Sequence, residues 1–205
     1  MRQHTAELAE QYRVKGYWTD RLLIDFFESA VNRFPDKVAI VDDRFGSITY
    51  LALQERVWRL SGALNQRGIQ SGDRFVIALP NWQHVPVVML ALGYIGAISV
   101  HMPVLGRERE FEGVLRVSEA KGLVVPGRYH SHDYVSMIDS IDQAQKALDL
   151  KVSVELGDAR AGWVDFEQLL EEARSPTPDP GWRPSPDEIT SVLFTSGSSG
   201  DPKGV

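Results

Sequence analysis

The sequence predicts an α/β fold, a largely parallel sheet flanked by helices, on three observations. Short apolar runs alternate with helix-length amphipathic segments across residues 74–155, which is the rhythm of βαβ units. The run Arg74-Phe75-Val76-Ile77-Ala78-Leu79 is apolar enough to be covered on both faces, as strands of parallel sheets are. A Ser/Gly-rich stretch follows the last apolar run, residues 189–194, beyond a strand's carboxyl end, where ligands of such sheets bind.

The elements follow in order. Residues 1–18 are polar and then aromatic, with Tyr12, Tyr17 and Trp18. Thr19 is the expected N-cap of a first helix, since Leu22, Leu23, Phe26, Phe27, Ala30, Val31 and Phe34 fall at helical spacing and Pro35-Asp36 ends it. Val38-Ala39-Ile40-Val41 and Ser47-Ile48-Thr49-Tyr50 read as hairpin strands about a turn at residues 42–46. Thr49 then caps a second helix with Leu53, Val57, Leu60, Ala63 and Leu64 on one face, and Gly68 sits just past its end. After the strand at 74–79, a third helix over 82–94 tolerates Pro86 only in its first turn.

Gly96 ends that helix, and residues 97–100 form the next strand. Residues 107–118 make a helix with Phe111, Val114, Leu115 and Val117 inward; residues 122–126 make a buried strand. A helix over 134–148, a strand over 151–155 and a short helix over 165–172 complete the alternation. Five prolines in residues 174–187 mark a linker or surface loop before the final strand. The expected organisation is an extension, 1–18; an α/β core, 19–173; the Pro-rich stretch, 174–187; and a terminal strand with its loop, 188–205.

At 205 residues the chain can bury one good core. Apolar residues are 43% and charged residues 24%, a globular balance. The net charge of −6 argues against binding nucleic acid through its phosphates. The absence of cysteine excludes disulfides, cysteine zinc sites and a cysteine nucleophile, and it fits a reducing, cytoplasmic setting. No apolar run approaches the length of a membrane span, because residues 85–100 are interrupted by Pro86, Gly93 and Gly96.

The richest local signal is Thr195-Ser196-Gly197-Ser198-Ser199-Gly200-Asp201-Pro202-Lys203-Gly204-Val205. Its threonine and three serines offer O–H donors, and its glycines let backbone N–H groups approach an anion. Lys203 adds a positive charge. A phosphate cradle and an ordinary surface loop share this composition. The spacing matches neither the P-loop nor the dinucleotide pattern. Among the five histidines, His4, His130 and His132 lie in polar stretches and read as surface, and His84 reads as partly exposed; His130-Ser131-His132-Asp133 could suggest a metal, but no second pair with ligand spacing supports it.

Phe194 with the stretch Thr195 to Val205 resembles the signature loop of the acyl-adenylate-forming superfamily, with Ser199 where threonine is more usual. That superfamily includes acyl-CoA synthetases, aryl-acid AMP ligases, adenylation domains of peptide synthetases, and luciferases. Ser47-Ile48-Thr49-Tyr50-Leu51-Ala52-Leu53, Gly68-Ile69-Gln70-Ser71-Gly72-Asp73-Arg74-Phe75-Val76-Ile77 and Leu90-Ala91-Leu92-Gly93-Tyr94-Ile95-Gly96-Ala97-Ile98 resemble packing segments of its N-terminal region, which extends the likeness over about residues 18–205. Tyr12-Arg13-Val14-Lys15-Gly16-Tyr17-Trp18 and Leu79-Pro80-Asn81-Trp82 are similar to aryl-acid AMP ligases; with Val104-Leu105-Gly106-Arg107-Glu108-Arg109-Glu110 they are also similar to bacterial medium-chain and alicyclic acyl-CoA ligases, the favoured branch.

The resemblance implies an incomplete N-terminal domain of a two-step ligase. A carboxylic acid and Mg2+-bound ATP give an acyl-adenylate and pyrophosphate; a thiol, commonly that of coenzyme A, then displaces AMP. Thr195, Ser196, Ser198 and Ser199 are the implied phosphate donors, with Gly197 and Gly200 shaping the loop and Lys203 either pairing with phosphate or solvated. His101, at a strand end facing the expected ligand edge, reads first as a structural hydrogen-bonder, with a place on the wall of the acyl channel as the minority alternative. The resemblance supplies no metal ligand and no catalytic residue within 1–205, so this polypeptide alone is expected not to form acyl-adenylate. Two other readings stand beside it: a fragment of an aryl-acid AMP ligase, and a non-catalytic truncated module that binds a nucleotide or a partner, with oligomerisation open.

Overall fold

Six parallel strands, built from the segments whose apolar runs are too short for helices, form the centre of the computed structural model of the chain. The structure describes residues 5–142, 148–173, 178–195 and 203–204. In chain order the helices are α1 (Ala6–Val14), α2 (Leu23–Arg33), α3 (Tyr50–Gln66), α4 (His84–Ile95), α5 (Glu108–Ser118), α6 (Tyr134–Asp139) and α7 (Phe166–Glu171). The strands are β1 (Val38–Asp42), β2 (Gly46–Thr49), β3 (Arg74–Ile77), β4 (Ile98–His101), β5 (Gly122–Pro126), β6 (Arg128–Tyr129), β7 (His132–Asp133), β8 (Leu150–Val154), β9 (Val164–Asp165), β10 (Ser191–Thr195) and β11 (Lys203–Gly204). The main sheet has the order β11-β10-β4-β3-β5-β8-β9, parallel throughout except for β11. This agrees with the α/β class and the parallel sheet read from the sequence.

Alternation along the central strands divides the core in two. Phe75 and Ile77 of β3 face a layer built from α2, α3, α4 and α7, whereas Val76 and Ala78 face α5 and α6. Both layers are apolar, so a strand between them must be apolar on both faces. Phe111 of α5 is fully buried in the second layer. Removing a side chain of that size from water contributes about 1.5–3 kcal/mol.

The helix ends follow capping chemistry in most places. Thr49 accepts from the Ala52 N–H at 3.2 Å, as its position before an apolar stripe predicts. Gly96 ends α4 at φ +71°, a conformation glycine adopts without a Cβ penalty. Pro86 is the third residue of α4 and so costs no intrahelical hydrogen bond.

Several expectations are corrected. Thr19 caps nothing; α2 starts at Leu23 because the Asp25 carboxylate accepts from the Leu22 N–H at 2.8 Å. Residues 6–14, read only as polar, form α1, whose side chains are nowhere buried and therefore carry no periodic apolar signal. Val117 is half exposed, because about 100° per residue turns it away from the stripe of Phe111, Val114 and Leu115. The helix expected over 134–148 runs from Tyr134 to Asp139, and residues 143–147 lie outside the described residues. His84 is buried at 2% exposure, not partly exposed. It lies edge-on to Phe45 and Phe166, with ring centroids 4.6 and 4.8 Å away.

Long-range polar contacts fix the outer pieces. The Asp42 carboxylate accepts from the N–H groups of Gln83, Arg44 and Phe45 at 2.7, 2.8 and 3.1 Å, joining the β1–β2 hairpin to the start of α4. Burial opposes the charge on Asp42, but these three donors hold its carboxyl below the usual range. Arg13 reaches Asp187 at 2.5 Å and Arg183 pairs with Asp25, so the segment leading into β10 is tied to α1 and α2.

Glu167 of α7 bridges to α3 through the Arg56 guanidinium, and His84 Nε2 stands 3.6 Å from the same carboxylate. Burial alone pushes the Glu167 carboxyl up; His84 and Arg56 outweigh it and bring it down to about 2. A carboxylate depressed in the folded state stabilises above its unfolded pKa, and that contribution is lost as pH falls through the folded value. Glu167→Gln is therefore expected to lower the urea midpoint at pH 7, with the difference from the unaltered chain narrowing between about pH 4.3 and pH 2. Because the side chain is 56% exposed, the effect should stay under about 1 kcal/mol.

Candidate functional site at the carboxyl ends of β3, β4 and β10

Parallel strands end on one side of the sheet, so side chains and loops just past their carboxyl ends converge there. Past β3 the chain runs Ala78-Leu79-Pro80-Asn81; past β4 it runs Met102-Pro103-Val104. Ala78 and Met102 each donate one further backbone bond to the neighbouring strand, but Pro80 and Pro103 have no N–H with which to extend the ladder, and space opens between the two segments. That space is a cavity of about 720 Å3. Its walls are mainly apolar, from Leu79, Val85, Met102, Leu105 and Phe194, with Asn81, His101, Tyr129 and His130 as the polar points. Pockets of this size and make-up hold small organic ligands.

His101, the last residue of β4, lines the cavity, as the sequence reading of strand-end geometry allowed. Its Nε2 lies 3.1 Å from Ser99 Oγ, and that hydroxyl donates to the Thr190 carbonyl at 3.2 Å. With the hydroxyl proton committed to Thr190, Nε2 carries the imidazole hydrogen and Nδ1 is the acceptor. Burial pushes the His101 imidazole below the usual histidine range, so the ring is neutral at pH 7. The ring is both a structural hydrogen-bonder and a wall of the cavity.

Strand β10 brings the Ser/Gly-rich stretch to the same place. It pairs with β4 in parallel, Leu193 opposite His101, so its carboxyl end points where β4 points. Leu193 and Phe194 line the cavity. On its other side β10 pairs with β11 in antiparallel register, Phe194 with Gly204 and Thr195 with Lys203. Thr195 and Lys203 are thus backbone neighbours at the two ends of the stretch. Ser196, Gly197, Ser198, Ser199 and Gly200 lie outside the described residues.

A second cavity, of about 530 Å3, lies past β5 and β8, with Arg44, Arg128 and Arg160 on its walls. Each cation has a carboxylate partner: Arg44 with Glu155 at 2.5 Å, Arg128 with Asp133 at 3.4 Å and Arg160 with Asp139 at 2.7 Å. Its charges are internally matched, so the cavity beside β10 is the better site for an organic ligand. Sequence reading quoted Asn81 only within a family-like segment and did not single out Tyr129 or Met102. The signal available was the pair of prolines just past β3 and β4, which mark where strands stop and a pocket can open.

Comparison with known proteins places these features. The profile of the family described as AMP-binding enzyme matches residues 27–205. Medium-chain fatty-acid–CoA ligase of Escherichia coli (strain K12) is 34% identical over 194 residues, which are 95% of this chain and 34% of that protein. Salicyl-AMP ligase / salicyl-S-ArCP synthetase of Mycobacterium tuberculosis (strain ATCC 25618 / H37Rv) is 34% identical over 202 residues, 97% of this chain and 35% of that protein. The Mycobacterium smegmatis MbtA apo structure superposes with a TM-score of 0.84 at 27% identity, covering 100% of this chain and 37% of that one. The chain spans about a third of the length of the curated relatives it matches.

Proposed function

Because the chain belongs to the AMP-binding enzyme family of acyl- and aryl-adenylate-forming ligases, we propose that it is the N-terminal part of an ATP-dependent carboxylate-activating ligase with coenzyme A as the thiol acceptor. The observation that supports this most is positional. Strand β10 leads directly into the Ser/Gly-rich stretch beside a largely apolar cavity at the carboxyl edge of the sheet. One end of such a site suits phosphates and the other suits the organic part of an acid.

In this reading ATP is a substrate. A carboxylate oxygen attacks its α-phosphorus, the bond to the pyrophosphate oxygen breaks, and an acyl-adenylate results. The sulfur of the acceptor thiol then attacks the acyl carbon, AMP leaves, and the thiol proton passes to solvent. Charge builds on the leaving pyrophosphate in the first step, so fixed donors there lower the barrier. Thr195, Ser196, Ser198 and Ser199 are the proposed O–H donors, with Gly197 and Gly200 supplying close backbone N–H groups and Lys203 a cation. Magnesium supplies charge neutralisation on the phosphates and arrives with the nucleotide. Among the described residues no group of three His, Asp or Glu side chains is placed to hold a metal ion.

The cavity takes the non-reacting part of the acid. Leu79, Met102 and Phe194 favour an alkyl or alicyclic group, and His101 as a neutral ring adds no charge to it. A second reading, activation of an aryl acid, rests on the likeness to the salicyl-AMP ligase. No helix among the described residues is long and apolar enough to cross a membrane, and a cytoplasmic setting supplies both ATP and coenzyme A.

Residues 1–205 form one part of the site in this account and do not complete it. Pyrophosphate exchange into ATP, measured with panels of alkyl, alicyclic and aryl acids, tests it. The longest polypeptide that carries residues 1–205 should exchange in an acid-dependent way, and residues 1–205 alone should not. A preference for salicylate-like acids would favour the second reading.

A further inference from the structure

The cavity past β3, β4 and β10 is apolar over most of its wall, yet one polar atom there has a fixed role and no protein partner. His101 Nε2 lies 3.1 Å from Ser99 Oγ, and Ser99, two residues earlier on the same face of β4, is 2% exposed. The Thr190 carbonyl accepts from the Ser99 N–H at 3.0 Å and from the Ser99 hydroxyl at 3.2 Å. A carbonyl oxygen has two lone pairs and can hold both bonds. The hydroxyl oxygen is left to accept, so Nε2 keeps the imidazole hydrogen and Nδ1 is an acceptor only. Burial keeps the ring neutral, so Nδ1 gains no hydrogen at pH 7.

Among the described residues no group donates to Nδ1, and the atom is not sealed in the interior. It therefore opens on the cavity that the ring lines. The other polar points lack this fixed character. Asn81 and His130 are exposed to water, and the Asn81 amide carries donors and an acceptor alike. The Tyr129 hydroxyl rotates to donate or to accept. A hydrocarbon group that fills the cavity strips water from Nδ1 and returns nothing, which leaves a buried acceptor unpaired. A ligand O–H aimed at Nδ1 restores the bond. A ligand carbonyl in the same place sets two acceptors against each other.

We propose, on the carboxylate-activating reading above, that His101 selects those alkyl and alicyclic acids that carry a hydroxyl group on the chain or ring, with that hydroxyl donating to Nδ1. Ser99 sets the choice by holding the tautomer. His101 is then a specificity residue that touches the acid, and Ser99 a positioning residue that acts through it. A site built to bond a substrate hydroxyl discriminates against the analogue that lacks it, because its own polar atom is then left unpaired.

The test is pyrophosphate exchange by the longest polypeptide that carries residues 1–205, with straight-chain acids of matched length and with cyclohexanecarboxylic acids. Each parent acid is compared with forms that carry a hydroxyl or an oxo group at each position in turn. At one position the hydroxy acid should exceed both its parent and its oxo form in kcat/KM by about 30-fold. His101→Phe should bring both ratios to about one. Ser99→Ala keeps the ring and frees the tautomer, so the hydroxy-to-oxo ratio should fall about tenfold. Imidazole nitrogen shifts, with His101 assigned by its loss in His101→Phe, should place the hydrogen on Nε2 in the unaltered protein and on both nitrogens in Ser99→Ala. Where a variant does not fold, the acid ratios and imidazole shifts of the unaltered protein decide. Equal rates for the three forms, a preference for oxo acids, or a hydrogen on Nδ1 in the unaltered protein overturns the proposal and leaves carboxylate activation standing. A hydroxyl preference that survives in folded His101→Phe, or a ratio unmoved in folded Ser99→Ala, does the same. Exchange with none of the acids removes the carboxylate-activating reading and the proposal with it.

Discussion

Ser196→Ala and Ser198→Ala are each expected to slow acid-dependent ATP–pyrophosphate exchange by about 10²-fold in the longest polypeptide that carries residues 1–205. Removing one preorganised donor from the place where charge develops costs about 2.7–4 kcal/mol of transition-state stabilisation. A surface loop of the same composition gives a different result, since exposed substitutions stay within about 0.5 kcal/mol, close to twofold in rate. The two readings of the Ser/Gly-rich stretch are therefore separated by more than a factor of ten. Lys203→Ala discriminates further: a phosphate-pairing lysine lowers the rate with the serines, whereas a solvated one leaves it unchanged. Steady-state exchange at saturating ATP is the measurement, with circular dichroism to show that each variant is folded.

Gly127→Ala is expected to destabilise the chain by about 3 kcal/mol and to lower its urea midpoint by about 1 M. A Cβ at this position would stand 2.1 Å from the Glu155 carbonyl oxygen and 3.0 Å from its carbonyl carbon. Both are backbone atoms, so no side-chain rotation relieves the overlap. Glu155 already sits at φ 58°, in the left-handed region, and has little room to move. The strands β5 and β8 would have to part at their carboxyl ends, weakening the 2.8 Å bond from the Gly127 N–H to the Val154 carbonyl. A loss of this size is a large share of the stability of a natural domain, which is about 5–15 kcal/mol. Chemical denaturation of the purified chain reads it directly.

The parts of the fold legible in the sequence are those that local chemistry determines. The Thr49 cap, the left-handed Gly96 and the doubly apolar β3 each follow from a few neighbouring residues, and each stands where the sequence puts it. The parts that were not legible depend on distant partners. His84 is a polar residue at a helix start, and nothing near it in sequence announces that Phe45 and Phe166 will cover it. Asp42 looks like a turn residue until the Gln83 N–H is seen on its carboxylate. The two-residue strands β6, β7 and β9 are too short to show a period of two. Helix α1 is held by polar contacts such as Arg13 with Asp187, so it lacks the apolar stripe by which helices are recognised.

For the candidate site, the sequence named the loop by its wording and located it by strand order. The structure adds what spacing alone cannot express. Leu193 lies opposite His101 and Thr195 opposite Lys203, so the two ends of the loop are placed beside one cavity. The cavity itself was illegible because its walls come from four segments far apart in sequence: past β3, past β4, at Tyr129 and His130, and along β10. Only the prolines after β3 and β4 hinted that the chain leaves the sheet there.

Pyrophosphate exchange reads directly whether this chain is one part of a carboxylate-activating site. Labelled pyrophosphate should enter ATP in an acid-dependent way with the longest polypeptide carrying residues 1–205, and not with residues 1–205 alone. Acid-dependent exchange by residues 1–205 alone would contradict it, as would the absence of exchange from the longer polypeptide with every alkyl, alicyclic and aryl acid tried.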